Sequence, residues 1–354
     1  MLEDKTVVVT GGTGSLGQVL VQRLLSGGKG LPRKVIVFSR CEDKQYNMRM
    51  AYVNRMLLLD ESVYQNATRL LEFRLGDIRD YGDVCSVIRN ADVLVNAAAL
   101  KQVPACEYFP GQAIMTNCIG AMNLTRAIRE NSYAVETVVG ISTDKACKPV
   151  NVMGMSKAIQ ERIFTSANVL SPKTRFICVR YGNVLASRGS VIPLFHKQIK
   201  NGGPVTITIP EMTRFLLTLN QAVDTIFAAL GDAQPGETYV PDAPSATVMN
   251  IAKALIGDRD IKIEVMGIRP GEKLHEIMVS EEERYHTAKR GDYYAILPML
   301  PELIKDNGED RRVLVNEYSS EDTVLDLQQT IDLLKQNDLM VGDSGVIDDR
   351  ELLR

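Results

Sequence analysis

The chain has 354 residues, of which 45% are hydrophobic and 24% are charged, and its formal net charge is −3. These values are typical of a globular protein with a large core, and they argue against a general nucleic-acid binder. No apolar run reaches the roughly 18 residues of a membrane span, so we expect no membrane span. The opening MLEDKTVVVTGG is too charged for a secretory signal, which favours a cytoplasmic protein.

The six cysteines and three histidines do not have the spacing of a metal site or a disulfide framework. No CxxC pair occurs, and the histidines lie far apart in the sequence. We therefore expect reduced thiols and no bound metal.

Short β-branched runs alternate with helical patterns through the first half of the chain. The predicted strands cover residues 6–10, 35–38, 71–75, 93–96, 135–141 and 176–180, and predicted helices include 16–25 and 113–130. Apolar strands that alternate with helices predict an α/β fold, with a Rossmann-type doubly wound parallel sheet.

Glycine and proline become frequent after Tyr181, which indicates a change of organisation. We predict a Rossmann domain over residues 1–182, to which 212–240 returns through a helical segment at 221–230. A smaller substrate-binding lobe is expected from 183–211 and 241–294. Residues 295–354, with a helical pattern at 323–335, are expected to form a C-terminal extension.

A glycine motif follows the first predicted strand. Gly11, Gly14 and Gly17 fit G-x-x-G-x-x-G and precede an apolar helix. Glycines allow the backbone to approach a pyrophosphate, and the helix N-terminus directs N–H groups at it. Because the motif lies between a strand and a helix, it predicts a dinucleotide site rather than an unliganded turn.

The end of the second strand selects between the two nicotinamide cofactors. Ser39, Arg40 and Lys44 stand where an NAD site usually places an acidic residue. Guanidinium and hydroxyl groups suit a 2′-phosphate, so NADP is favoured over NAD, although a solvated surface arginine is the alternative interpretation. Asp77, after the third strand, either accepts from the adenine amino group or caps the next helix.

Six further segments carry a family resemblance. They read NAAALKQVPACEYFP from Asn96, TNCIGAMN from Thr116, STDKACKPVNVMGMSKAIQE from residue 142, RYGNVLASRGSVIPLF from residue 180, EMTRF from residue 211 and IRPGEKLHE from residue 268. Together they resemble the extended short-chain dehydrogenase/reductases. Within these, the chain is similar to the UDP-N-acetylglucosamine 4,6-dehydratases of capsule, O-antigen and flagellin-sugar biosynthesis, most closely to the capsular, 5-inverting subgroup with Met-x-x-x-Lys. The likeness extends from the first strand to about Glu276.

Met153 departs from the superfamily pattern Tyr-x-x-x-Lys, in which the tyrosine is a base. A thioether cannot accept a proton in this way. The resemblance implies that the Asp144–Lys145 pair replaces the tyrosine, with Lys145 as the C5 base and Asp144 as the acid to the C6 hydroxyl. Thr143 is then expected to bind the C4 oxygen and Lys157 the nicotinamide ribose, while either Lys157 or Asp144 removes the C4 hydroxyl proton.

A lysine base must be neutral, and we expect partial burial beside other cations to lower the pKa of Lys145. The alternative interpretation is a capping aspartate followed by a solvated lysine.

The resemblance also implies two sets of contact residues. The cofactor-binding set is Gly11, Thr13, Gly14, Ser15, Leu16, Gly17, Ser39, Arg40, Lys44, Asp77, Ile78, Ala97, Ala98, Ala99, Lys101, Asn117, Lys157, Tyr181, Asn183 and Val184. The substrate-binding set is Lys101, Asn183, Arg188, Val191, Arg214, Arg269 and Glu272. Glu107 is expected near the sugar, and His275 is expected to support its loop.

The resemblance predicts a UDP-sugar substrate, a role in surface polysaccharide biosynthesis and a homo-oligomer, with a hexamer as one candidate. A UDP-hexose 4-epimerase, acting on UDP-glucose or UDP-N-acetylglucosamine, is the alternative enzyme. Since Met153 replaces the usual base, an inert NADP-binding scaffold is the alternative from another class.

Overall fold

The computed structural model describes residues 1–185, 190–304 and 313–342. Its strands are β1 (Thr6–Thr10), β2 (Lys34–Ser39), β3 (Leu71–Leu75), β4 (Val93–Asn96), β5 (Thr137–Ile141), β6 (Arg175–Val179), β7 (Val205–Ile207), β8 (Thr213–Phe215), β9 (Thr238–Pro241), β10 (Ser245–Thr247), β11 (Ile263–Val265), β12 (Ile277–Val279), β13 (Thr287–Arg290), β14 (Tyr293–Ile296), β15 (Tyr318–Ser319) and β16 (Val324–Leu325).

The α-helices lie between and after these strands. They are α1 (Ser15–Leu25), α2 (Glu42–Val53), α3 (Glu61–Leu70), α4 (Tyr81–Ile88), α5 (Val103–Tyr108), α6 (Pro110–Ala113), α7 (Gly120–Asn131), α8 (Val152–Leu170), α9 (Val191–Lys200), α10 (Leu219–Asp232), α11 (Val248–Ile256) and α12 (Leu327–Gln336). A π-helical turn over Ile114–Ile119 joins α6 to α7, and short 3₁₀ turns cover Asp144–Ala146, Glu283–His286 and Pro301–Leu303. Among the described helices, none combines the length and the apolar character that crossing a bilayer requires.

The main sheet has nine strands in the order β13-β14-β9-β6-β5-β4-β1-β2-β3. Strands β3, β2, β1, β4, β5, β6 and β9 run parallel, and β14 and β13 add an antiparallel edge. The order 3-2-1-4-5-6 is that of dinucleotide-binding α/β proteins. The predicted fold class is therefore confirmed.

The apolar strands are buried because helices cover both faces of this sheet. In β1, Val7 and Val9 pack in one core, with Leu20 of α1, while Val8 packs in the other, with Leu124 of α7. Successive side chains of a strand point to opposite faces, so a run such as TVVVT supplies both cores at once.

A smaller lobe packs around a third core. Its sheets are β16-β10-β8 and β11-β7, and α9, α11 and α12 enclose them. Leu334 of α12 is fully buried in this core, so the segment predicted as a C-terminal extension contributes to the lobe. The pattern at 323–335 was expected to be helical throughout, but Val324–Leu325 pairs as β16 and the helix starts after the capping residue Asp326.

Strands β13 and β14 lie in the main sheet, although residues up to 294 were predicted in the lobe and 295–296 in the C-terminal extension. β14 is hydrogen-bonded to β9 and β13 to β14, so these short strands extend the sheet at its antiparallel edge. Helix α10 packs against α1, and Arg23 and Asp224 form an ion pair of 2.7 Å between the two helices.

Candidate active site

A cavity of about 690 Å³ opens at the carboxyl ends of the parallel strands. The strand order reverses between β1 and β4, and ligands of open α/β sheets bind at such a point. The predicted site residues that line this cavity are Gly11, Thr13, Gly14, Ser15, Leu16, Gly17, Ser39, Arg40, Lys44, Asp77, Ile78, Ala97, Ala98, Ala99, Lys101, Thr143, Lys145, Met153, Lys157, Tyr181, Asn183, Val184, Arg269 and Glu272.

Four predicted site residues do not line the cavity, namely Asn117, Asp144, Val191 and Arg214. Arg188 lies at 186–189, outside the described residues. Val191 begins α9 and packs against the core of the lobe, because it lies on the apolar face of that helix.

The glycine motif brings backbone against backbone at the start of α1. Gly11 has φ +65°, and a Cβ there would lie 2.8 Å from the backbone of Ala97. A Cβ on Gly17 would lie 2.5 Å from the Cα of Gly12. The N-cap Gly14 offers no side chain, so the first-turn N–H groups of α1 have no side-chain acceptor there. The residues present fit a dinucleotide pyrophosphate.

Two exposed cations lie on the cavity wall after β2. Arg40 and Lys44 both line the wall, together with the hydroxyl-bearing Ser39. Buried Gln45 fixes the strand end by donating to the main-chain oxygen of Ser39 at 2.9 Å. Guanidinium, ammonium and hydroxyl groups are all donors, so this wall suits a phosphate.

Asp77 lines the cavity as an ion pair with Arg79, with 2.6 Å between Oδ2 and Nη2. Burial opposes ionisation, but the hydrogen bonds from Arg79 outweigh it and hold the pKa of Asp77 below its usual value. The residue that caps α4 is Asp80, whose side chain accepts from the N–H of Asp83. The interpretation of Asp77 as a helix cap is therefore wrong.

Asn117 supports the cavity from behind. It is fully buried in the π-helical turn, where it accepts from Leu100 N at 2.8 Å and donates to Leu100 O at 2.9 Å. It also donates to Ser156 Oγ on α8 at 2.9 Å. These bonds hold the loop after β4 in place. Asn117 therefore supports the predicted cofactor site indirectly, by positioning a loop that lines it.

Helix α8 carries Met153 and Lys157 one turn apart on the cavity wall. Met153 is buried and packs with Cys106 and Ala113. Its thioether makes this part of the wall apolar, where the superfamily places a phenol. The cap of α8 is Asn151, which accepts from a first-turn N–H at 2.8 Å.

The Lys145 amine has three acceptors around it. Its Nζ lies 3.1 Å from Asp144 Oδ1, from Asn183 Oδ1 and from Glu276 Oε1. Burial favours the neutral amine, but the two carboxylates outweigh it and hold the pKa of Lys145 above its usual value. The expected lowering by nearby cations is therefore wrong. The interpretation of Lys145 as a solvated lysine is also wrong, because its side chain is only 22% exposed.

Asp144 is fully buried and does not reach the cavity directly. Its Oδ1 accepts from Thr143 Oγ1 at 2.7 Å and from Lys145 N at 2.8 Å, while Oδ2 has no partner within the part of the chain that the structure describes. Burial raises the pKa of this carboxyl, and Lys145 opposes the change. Asp144 can therefore communicate with a ligand through Thr143 and Lys145, which both line the cavity.

Glu276 was missed by the sequence-based assignment. Its side chain is 2% exposed, and Oε1 lies 3.8 Å from Arg214 Nε as well as beside Lys145. Arg214 is itself buried and donates to the main-chain oxygens of Thr213 and Leu274. Arg214 thus faces Glu276 and the backbone, which explains why it does not line the cavity. The one signal for Glu276 in the sequence is its place at the end of IRPGEKLHE.

Lys157 also lines the cavity, but unlike Lys145 it has uncharged hydrogen-bond partners. It is 5% exposed and donates to Ile141 O at 2.8 Å and to Gln160 Oε1 at 2.9 Å, both uncharged. Burial lowers its pKa to about 8. Near neutral pH this amine can therefore hold or release a proton.

The two remaining expectations concern supporting residues. Glu107 accepts from Val152 N at 2.7 Å, which ties α5 to the start of α8. His275 Nδ1 lies 2.7 Å from Thr213 Oγ1, so its ring braces the segment before Glu276 against β8.

Comparison with known proteins places this chain among enzymes named for nucleotide sugars. The family described as "Polysaccharide biosynthesis protein" matches residues 7–298. A protein of Rickettsia conorii named UDP-glucose 4-epimerase is 41% identical over 345 residues, covering 94% of this chain and 96% of that one.

Solved structures agree with the fold. Pen from Bacillus thuringiensis has 32% sequence identity and a TM-score of 0.85, over 96% of this chain and 100% of that one. DesIV, a dTDP-glucose 4,6-dehydratase from Streptomyces venezuelae, shares the fold with a TM-score of 0.64 at 22% identity, over 76% and 86% of the two chains. The family match and the identity to the rickettsial protein together show that the chain belongs to the polysaccharide biosynthesis protein family.

Proposed function

We propose that this enzyme is an NADP-dependent UDP-N-acetylglucosamine 4,6-dehydratase that inverts C5. It is a nucleotide-sugar-modifying enzyme of the short-chain dehydrogenase/reductase type, and the choice of reaction within that type is our proposal. The product is a UDP-2-acetamido-2,6-dideoxy-4-keto-hexose, which suits a pathway to a surface polysaccharide.

The observation that carries the proposal is the arrangement of proton-transfer groups around the cavity. Met153 offers none, whereas Lys145 lines the wall with buried Asp144 and Glu276 beside it. Dehydration needs a base at C5 and an acid at C6 in addition to oxidation at C4. A carboxyl and an amine in contact can supply both.

NADP, when bound, would accept a hydride from C4 of the sugar and return it to C6. The glycine motif would hold its pyrophosphate, and Lys157 would bind the nicotinamide ribose. Arg40, Lys44 and Ser39 favour its 2′-phosphate, with NAD as the less favoured cofactor.

The protein groups would then move protons at named atoms. Thr143 Oγ1 binds the C4 oxygen, and Lys157, with its pKa of about 8, takes the C4 hydroxyl proton. Lys145 Nζ donates to Asp144 Oδ1 at 3.1 Å, and transfer of that proton leaves a neutral amine beside a neutral carboxyl. The amine of Lys145 then takes the C5 proton once the C4 ketone has made it acidic. The C6–O bond then breaks, and the hydroxyl leaves as water with a proton from Asp144. Thr143 Oγ1 lies 2.7 Å from Asp144 Oδ1 and relays this proton when Asp144 is protonated, by accepting from the carboxyl and donating its own hydroxyl hydrogen to the substrate.

The substrate end of the cavity is formed by the loop that precedes Glu276. Arg269 and Glu272 line it, and Asn183 faces it beside Lys145. Arg269 provides a planar cation for the UDP diphosphate, and Glu272 Oε2 is buried with no hydrogen-bond partner among the described residues. We propose that this loop holds the nucleotide.

The second candidate function is a UDP-hexose 4-epimerase, and the names of the rickettsial relatives favour it. Such an enzyme needs oxidation and reduction at C4 only, and it leaves the C6 hydroxyl in place. The inert NADP-binding scaffold is the third outcome, since Met153 removes the usual base.

We also propose a cytoplasmic homo-oligomer, of which a hexamer is one form. Cysteines without disulfide partners are consistent with a reducing compartment. Exposed apolar side chains on α7 and α8 support self-association.

The test is to incubate the purified enzyme and NADP with UDP-N-acetylglucosamine in heavy water, and to follow the sugar by NMR. We expect a 6-deoxy-4-keto product with deuterium at C5. A product that keeps its C6 hydroxyl would establish the epimerase instead. Bound NADP with both UDP-N-acetylglucosamine and UDP-glucose left unchanged would establish the scaffold.

Two variants assign the roles. We expect Lys145→Ala to lower turnover by at least about 10²-fold, since general acid–base groups contribute 10²–10⁴. The control is Lys148→Ala, which removes a nearby lysine paired with Glu317. Full activity of Lys145→Ala would refute the role of Lys145.

Arg40→Ala tests the cofactor choice. We expect it to weaken NADP binding by at least about tenfold and to leave NAD binding unchanged, because only NADP carries the 2′-phosphate. Equal losses for the two cofactors, measured by calorimetry, would show that Arg40 does not select between them.

A further inference from the structure

Lys145 belongs to a largely buried cluster of four charged groups, and the proposed reaction gives no role to two of them, Glu276 and Arg214. Asp144 and Glu276 are the carboxylates, and Lys145 and Arg214 are the cations. Two negative and two positive groups balance formally, so removing one carboxylate leaves an excess positive charge in a buried place.

Lys145 is held by this cluster in a geometry that suits an ammonium. Its three hydrogens match three acceptors, each at 3.1 Å, on Asp144, Asn183 and Glu276. A neutral amine has only two hydrogens, so one of these contacts is lost when Lys145 becomes a base. The geometry therefore opposes the form that the proposed reaction requires.

Glu276 is held in the lobe by main-chain hydrogen bonds on both sides of its Cα. Its N–H donates to Ser320 Oγ at 2.9 Å, and its main-chain oxygen accepts from Ser320 N at 2.8 Å. Ser320 is fully buried and also contacts Thr213 on β8 at 2.7 Å. The carboxylate is thus anchored to the lobe, while Lys145 belongs to the loop after β5.

Among the described residues, few charged groups face the pair formed by Lys145 and Glu276. Lys145 is influenced by Asp144, Glu276 and Arg214, and Glu276 is influenced by Lys145, Arg214 and Lys273. The second oxygen of Glu276, Oε2, is buried and accepts no hydrogen bond from residues 1–185, 190–304 or 313–342. Neutralising Glu276 therefore removes one of two attractive charges on Lys145 and leaves the repulsion of Arg214.

We propose that Glu276 is a positioning residue for Lys145: it fixes Nζ at the cavity wall and sets the pH at which Lys145 becomes a free amine. The catalytic role of Glu276 rests on the proposed function. Its effect on the position and proton affinity of Lys145 does not. On this proposal, the pH dependence of proton removal at C5 is set by Glu276, a residue of the lobe that lies outside the loop carrying Lys145.

The direct test measures the pH at which Lys145 loses its proton, without any turnover. Only the neutral amine reacts with acetic anhydride, so the extent of acetylation is followed against pH by peptide mass spectrometry, with exposed Lys173 as the internal reference. We expect Glu276→Gln to lower the midpoint for Lys145 by at least about one pH unit, since an opposite charge at this distance shifts a pKa by 1–3 units.

A matched control and a second variant complete the design. Glu321→Gln removes a neighbouring carboxylate, 58% exposed and close to His275, and should leave the midpoint unchanged. Glu276→Asp withdraws the carboxylate by one methylene, and we expect an intermediate midpoint. If Glu276→Gln does not fold, judged by circular dichroism and NADP binding, Glu276→Asp decides, and its midpoint must lie below that of the wild type.

An unchanged midpoint for Lys145 in the folded variants would overturn the proposal. A purely structural role for Glu276 predicts this result. In that case, Glu276→Gln lowers the amount of active enzyme at every pH and leaves the midpoint of Lys145 acetylation unchanged. In an active enzyme, the rising limb of C5 proton exchange in heavy water should move to lower pH by the same shift in Glu276→Gln. If acetylation shifts but no UDP-sugar reacts, the proposed function fails and the assignment of Glu276 stands.

Discussion

Lys145 and Lys157 line the same cavity but differ in proton affinity, because their partners differ. Lys145 faces carboxylates, which stabilise its ammonium, and Lys157 faces a carbonyl and an amide, which carry no charge. For Lys157 the cost of burial is therefore offset only in part, and its pKa falls from 10.5 to about 8. One cavity thus holds an amine that keeps its proton and an amine that can release it near neutral pH.

This environment predicts how stability depends on pH. Because the folded-state pKa of Lys157 is depressed, the unfolded chain binds more protons between pH 8 and 10.5, and stability rises with pH in this window. The penalty is fully present below pH 8 and amounts to roughly 3 kcal/mol at most. We expect Lys157→Met to remove this part of the pH dependence.

The measurement is urea unfolding of the cofactor-free wild type and of Lys157→Met at pH 7 and pH 9.5. Other titrating groups are shared, so the difference between the two proteins isolates Lys157. Parallel pH profiles for the two proteins would contradict the assigned pKa.

At the scale of elements, the turn between β1 and α1 depends on close backbone packing. Gly17 lies on α1 and faces Gly12 at a distance that leaves no room for a Cβ. Helix α1 then directs its first turn at the cavity. The helix position and the dinucleotide site therefore depend on the same contact.

We expect Gly17→Ala to weaken dinucleotide binding by at least about tenfold and to destabilise the fold by roughly 1–3 kcal/mol, because the new Cβ would lie 2.5 Å from Gly12. The matched control is Gly28→Ala, where the nearest atom to a Cβ is Ser26 Oγ at 3.9 Å. Calorimetric titration and thermal unfolding report the two effects. Normal binding by Gly17→Ala would show that the turn can relax without losing the site.

At the scale of the whole molecule, an apolar face covers two neighbouring helices. On α8, Met155 and Ile159 are 48% and 51% exposed, one turn apart, and Met122 on α7 is 49% exposed. The two helices pack against each other, so the three exposed side chains lie on neighbouring elements. Exposed apolar surface of this kind is typical of protein interfaces.

If this surface joins copies of the chain, Ile159→Glu should reduce the mass of the particle because a charge would be buried at the contact. Val265→Glu is the control, since Val265 is 55% exposed on β11 in the lobe. Sedimentation at several concentrations measures the mass. A wild type that stays monomeric at all of them would refute the proposed homo-oligomer.

The sequence by itself determined the local features of this protein. Alternating apolar runs predicted β1 to β6, and the glycine motif predicted the turn before α1, since both depend on residues close together in the chain. Lys145, Met153 and Lys157 were found in the same way, from motifs that each lie within one element or loop.

Only the tertiary structure decided which charges meet. Glu276 follows Lys145 by 131 positions, yet the two side chains are in contact because a loop of the lobe closes over the carboxyl end of β5. The same packing turned Arg214 toward Glu276 and placed Asp144 behind the cavity wall. Proton affinity depends on burial and on neighbours distant in the sequence, and no local pattern specifies either of them.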